Sequence, residues 1–347
     1  MSLRVPSRTV LVLVAAAALT ISMAGLRSVA GIVGPAFLAL VLTITVHPLR
    51  ILLRRFRLPD WLASTLMVIV VYLLLLVLSL ALVVSLGRLA GLVPQYRPKV
   101  DDLLGDAGDW LAARGVGSDQ VQAMLSALDV GGLVSTATSV LSGVLGLLSD
   151  LFFIVTLLLF MAFDATSTTR VLAALRSRRA YLVDAMISFA RSTRKYLAVS
   201  ATFGLIVAVV DSVALVVMGV PGAFVWGVLA FVTNFIPNVG FVIGVVPPAI
   251  IGLLEGGPGL MVAVIAVYSV INFVIQSIIQ PRVVGDAVGL SATITFLSLV
   301  FWSWAIGPLG ALLAVPLSLL AKALLIEADP DARWALPLVS GKLSNRP

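Results

Sequence analysis

The stretch PGAFVWGVLAFVTNFIPNVGFVIGVVPPAIIGLL, Pro221–Leu254, is almost wholly apolar, yet its middle reads Asn234-Phe-Ile-Pro237-Asn238-Val-Gly240 and a Pro247-Pro248 pair follows. A straight helix of these 34 residues would run roughly 50 Å, against a hydrocarbon core of about 30 Å. Two full spans would need about 40 residues. The stretch is therefore too long for one crossing and too short for two, and a helix that enters, breaks and turns fits its length. Pro237 removes a backbone donor and Gly240 permits dihedrals or close approaches that other residues avoid. Bare backbone at membrane depth survives only where protein or a water-filled cavity surrounds it, so the break is expected to line something polar. The competing picture is a single tilted span with a proline kink.

Composition sets the class. Hydrophobic residues make up 61% of the 347-residue chain and charged residues 11%, which describes a polytopic helical membrane protein rather than a soluble core. There is no cysteine, so thiol and disulfide chemistry are excluded. The net charge of +7 is explained by basic loops that set orientation, not by nucleic acid.

Working outward, apolar runs at Val10–Leu26 and Ser28–Val46 read as the first two spans. The loop His47–Asp60, with four arginines against one acid, reads as cytoplasmic. Trp61–Leu86 is the third span. The segment 87–140 carries four basic residues and six aspartates. Val100, Leu103, Leu104, Ala107 and Leu111 fall at helical spacing, as do Val121, Met124, Leu125 and Leu128, which predicts a small amphipathic helical insert on the outer side. Leu141–Phe163 is the fourth span. The segment 164–195, with seven basic residues against Asp164 and Asp184, is again cytoplasmic. Tyr196–Val220 is the fifth span and holds Asp211. Gly257–Gln280 is a further span, with Asn272 and Gln276 four apart on one face.

Ala292–Leu325 is also 34 residues long and also interrupted, at Gly307-Pro308-Leu-Gly310, with Pro316 beyond. Each broken stretch carries a Pro/Gly break and then another proline six or seven residues after its last glycine. That is the pattern of an internal repeat, and opposed hairpins about one crossing helix would make an inverted one. Paired interrupted segments point to a transporter binding site. The chain then divides into 1–86, 87–140, 141–195, a transport core at 196–325 and a tail at 326–347, with both termini cytoplasmic.

From the fourth span to Lys322 the chain resembles the autoinducer-2 exporter family of bacterial membrane proteins. The resemblance lies in Asn234-Phe-Ile-Pro237 with Gly240, Gln280-Pro281-Arg-Val-Val-Gly285 with Val288-Gly-Leu290, Gly307-Pro308-Leu-Gly310, and Ala314-Val-Pro316-Leu with Lys322. Pro48-Leu49, Arg54-Arg55 and Leu58-Pro59 resemble the family's first cytoplasmic loop. The resemblance implies about eight membrane segments in the bacterial cytoplasmic membrane, a pentameric homo-oligomer, and export of small polar molecules such as autoinducer-2. Sodium/proton exchange is attributed to some relatives. Many relatives place a glutamate and an asparagine where this chain has Ile275 and Ser277, an aromatic at Asn238, a proline at Phe241 and a His-Pro at Ser291-Ala292. Loss of that acid weakens a coupling mechanism copied from them.

The expected substrate face comprises Asn234, Pro237, Asn238, Gly240, Asn272, Gln276, Gln280, Pro281, Gly307, Pro308 and Gly310. Its amides are suited to a small polar solute, though any one such amide more often bonds helices together than binds a ligand. Asp211, the acid near the centre of a span, is the candidate for coupling to protons or sodium ions, or for structural pairing. No zinc, serine-hydrolase or nucleotide-binding motif occurs, so neither a cofactor, a metal nor an enzyme activity is expected. A cation/proton antiporter and an oligomeric ion-conducting pore are the alternatives to an exporter.

Overall fold

The computed structural model describes residues 7–56, 58–114, 151–164, 167–168, 170–237, 239–280, 282 and 289–341. Among them there is no strand, as lipid requires of an open chain whose backbone groups must be satisfied within each segment. By length and composition, Ala30–Leu53, Asp60–Ala81 and Ala180–Val217 are long and apolar enough to cross a membrane, as is the run Gly240–Ile279, which is interrupted at Gly257. Helix 180–217 turns an apolar face outward, as a lipid-facing element does, and buries two polar residues among its apolar ones. Leu205, Val209, Val213, Val216 and Val217 are exposed, while Ser200 and Asp211 are buried.

Two helices run further than hydropathy predicts. The third begins at Asp60 and continues without a break to Ala112, through the Gly87 boundary of the expected insert. The helix carrying Asp211 begins at Ala180, so the second half of the basic segment, from Ala180 to Lys195, is continuous with it. Charge ends the lipid-soluble part of a sequence but not its helix, because Arg and Lys are good helix formers. The second half of the expected insert, 121–128, lies outside the described residues.

The chain forms two compact units. One comprises Met1–Val68, Phe153–Leu197 and Ala287–Pro347. Its core is built on Phe37, Val41, Phe189, Leu313, Val315 and Leu319. Helix Ala30–Arg55 packs closely on the second interrupted stretch: a Cβ on Gly34 would stand 3.0 Å from Ile306 Cγ2. That stretch is a helix Ala292–Ile306, a break at Gly307 (φ 79°), a short helix Pro308–Leu312 and a helix Ala314–Lys322. Ser291 caps its start by accepting from the Ile294 N–H. Across the break, Trp302 Nε1 donates to Ser318 Oγ at 2.9 Å, and Gly310 sits so close to the Trp302 carbonyl that no Cβ would fit.

The other unit comprises Ile69–Phe152 and Ala198–Asp286, with a core of Leu215, Val220, Trp226, Val245, Ala249, Val264 and Tyr268. Here Pro221–Leu254 forms a helix Ala223–Thr233, a non-helical stretch at 234–237 and 239, and a helix from Gly240. Gly240 lies against the Thr233 carbonyl and Gly244 against Ala230, so these two helices run antiparallel. The helical path from Gly240 to Asn272 breaks once more, at Gly257 (φ 72°, ψ −169°). Gly252 faces Leu260 and Val264 across that break, so the chain reverses there too. Gly257 and Gly307 thus share one device: a glycine in a conformation closed to L side chains, followed by a proline that starts the next helix.

Candidate functional site

In the second unit the turn 234–239 leaves an open cleft of about 580 Å³, lined by Asn234, Ile236, Pro237, Phe241, Ser269, Val270, Asn272, Phe273, Gln276 and Ser277. The lining is mixed apolar and polar but carries no charged side chain. The amides of Asn234, Asn272 and Gln276 form one network. Gln276 Nε2 donates to Asn234 Oδ1 at 2.9 Å and to Asn272 Oδ1 at 2.7 Å. Asn234 Nδ2 donates to the Ser200 carbonyl at 3.0 Å, and Asn272 Nδ2 to the Tyr268 carbonyl at 2.9 Å. Both N–H donors of Gln276 are therefore spent within the network.

The helix around Gln276 is π-helical from Phe273 to Ile279. Such wide turns are rare and recur at functional sites, where they re-aim a side chain. Helix 180–217 supports the turn from the other side. A Cβ on Gly204 would stand 2.7 Å from Asn234 Nδ2, so that glycine makes room for the amide.

A family model described as AI-2E family transporter matches residues 9–328. The chain belongs to the AI-2E family of transporters. It is 32% identical over 305 residues to the AI-2 transport protein TqsA of Escherichia coli (strain K12), covering 88% of each chain. It is 28% identical over 335 residues to YhhT of the same organism, covering 96% of each. With its apolar helices, this makes it a multi-pass membrane protein of transport.

Of the residues expected at the site of this AI-2E family chain, the structure brings Asn234, Pro237, Asn272 and Gln276 together at the cleft. Gly240 lies just behind it, in the lining of a second, smaller cavity shared with Asp211. Gln280 ends the π-helical turn, its N–H donating to the Ile275 carbonyl, and is not in the cleft lining. Asn238 and Pro281 lie outside the described residues. Gly307, Pro308 and Gly310 belong to the other unit.

Four residues went unremarked in the sequence: Ser200, Gly204, Thr233 and Tyr268. For Tyr268 there was a signal. It precedes Asn272 by four and Gln276 by eight, which puts all three on one helix face.

Proposed function

We propose that the chain is a secondary transporter that moves a small, neutral, polar solute through the cleft at Asn234, Asn272 and Gln276. The observation that supports this most is the amide network: three neutral side chains bonded to one another at a break in the helix, beside an open cleft without charge. A site of this kind rewards hydroxyl-bearing solutes, which can donate to the Gln276 carbonyl, and rejects ions that would lose hydration without a counter-charge. The family resemblance and the name of TqsA make an autoinducer-2-like signal or metabolite the leading solute, and export its direction.

In this proposal the stretches 221–254 and 292–325 are re-entrant hairpins of an inverted repeat, counted with the full spans to give about eight membrane segments. Segment 87–140 faces outside, and both termini face the cytoplasm of a bacterial inner membrane. The assembly is a homo-oligomer, a pentamer by resemblance, whose subunit number native mass spectrometry would read. Because the chain lacks cysteine, single cysteines report side unambiguously. Cysteines replacing Asp119 and Ser177 should react with an impermeant thiol reagent from opposite faces of the membrane. Reaction of both from one face would refute the topology.

The transport path has its own test. Ser277 lines the cleft and is exposed. In a Ser277→Cys variant, a bulky maleimide should abolish transport, and the transported solute should slow the labelling. Complete labelling with transport unchanged would place the path elsewhere.

A further inference from the structure

Behind the amide network the same unit holds a small cavity of about 10 Å³, room for a single water-sized sphere. Two groups facing it are anomalous. Asp211 Oδ1 and Tyr268 Oη are buried without a hydrogen-bond partner among the described residues, and each residue is 1% exposed. Buried oxygens are nearly always paired, and a buried carboxylate lacking a counter-charge is the costliest exception. Among the described residues the neighbouring elements supply no such charge. From helices 223–233 and 240–256 the cavity meets alanine, glycine, threonine and phenylalanine, and from the 180–217 helix a valine beside Asp211. The returning helix contributes Tyr268, Asn272 and Gln276, of which Tyr268 alone titrates.

What surrounds the cavity is a set of oxygens. Asp211 offers Oδ1. Thr233 Oγ1 spends its proton on the Leu229 and Ala230 carbonyls, at 2.9 and 3.3 Å, and keeps lone pairs free. Asn234 and Asn272 each accept one hydrogen bond at an Oδ1 that has two lone pairs. The Asn272 side chain lies beside Asp211 in the same lining. Oxygen donors without nitrogen or sulfur suit hard cations, and one carboxylate balances one positive charge.

We propose that this cavity binds one dehydrated monovalent metal cation, with Asp211 as its charge partner and Thr233, Tyr268 and the two asparagine carbonyls as neutral ligands. The inference rests on the cleft being the transport site, because Asn234, Asn272 and Gln276 line both the cleft and the cavity. Ion and solute then share three side chains, so binding of either changes the affinity for the other by the same factor. A proton competes for the same carboxylate oxygen, which makes ion and proton mutually exclusive occupants.

The test is the melting temperature of the purified full-length protein in sodium, potassium and choline chloride at equal ionic strength, at neutral and at acid pH. Sodium or potassium should give a saturable rise of several degrees that choline does not, and the rise should shrink at acid pH. Asp211→Asn should lose the rise. Tyr268→Phe, which removes a ligand but no charge, should raise the half-saturating ion concentration several-fold, and it decides the matter if Asp211→Asn does not fold. Identical melting in all three salts, or an unchanged midpoint in Tyr268→Phe, would overturn the ion site. If solute still protects the cysteine at position 277 in that case, the cleft stands and the ion site alone falls.

Discussion

Gly240→Ala should cost most of the folded protein, and Gly310→Ala should do the same in the other unit. A Cβ on Gly240 would run into the Thr233 carbonyl, and one on Gly310 into the Trp302 carbonyl. Both obstacles are backbone, which no rotamer change can move aside. Neither glycine has a positive φ; what each provides is close approach of two chain segments at a reversal. Overpacking of a well-filled site typically costs about 1–3 kcal/mol, and a clash with backbone belongs at the upper end. The expectation is a large fall in melting temperature together with loss of transport. Gly25→Ala is the control, since a Cβ there meets nothing within 4 Å. If Gly240→Ala melts like the control, the reversal at 234–239 is not built as described.

That outcome revises what the sequence alone leads one to expect of these glycines. Read as hairpin tips on a cavity, they should matter for transport more than for folding. The structure puts Gly240 against the partner helix and only behind the cleft, so stability is the first quantity to suffer. The location of the break was legible, because Pro237 and Gly240 announce it within an apolar run too long for one span. The face shared by Asn272 and Gln276 was legible from their spacing of four. Less legible was the reversal at Gly257: Gly256-Gly257-Pro258-Gly259 lies at the start of an expected span, where such residues are unremarkable. Tyr268 and Thr233 look like ordinary apolar-helix residues until the fold turns them toward Asp211. The helices through Gly87 and Lys195 were missed because hydropathy reports where lipid ends, and nothing there reports that the helix continues.

Gln276→Leu should reduce solute transport by about tenfold or more while leaving a folded protein. Leucine has a similar volume and good helix propensity, so the packing around the π-helical turn is largely kept. The change removes both donors that hold Asn234 and Asn272, and it removes the carbonyl proposed to meet the solute. One lost neutral hydrogen bond is worth about 0.5–1.5 kcal/mol, and about 1.4 kcal/mol is a factor of ten. Asn234→Leu breaks the same network from its other end and also loses the bond to the Ser200 carbonyl. The two defects should be strongly non-additive, since each variant already opens the network that the other belongs to.

An alternative account makes the three amides nothing more than bonds between helices. It predicts that transport falls only as far as stability does, and that apolar replacements are neutral or even stabilising to fold and function alike. The deciding measurement is therefore transport of a neutral polar solute into vesicles, taken beside the melting temperature, for wild type, Gln276→Leu, Asn234→Leu and the double variant. A cleft that binds solute predicts transport reduced about tenfold or more in each variant while melting shifts little, with the double variant no worse than the worse single one. Transport that tracks stability across all four proteins, or stays at the wild-type rate, would contradict it.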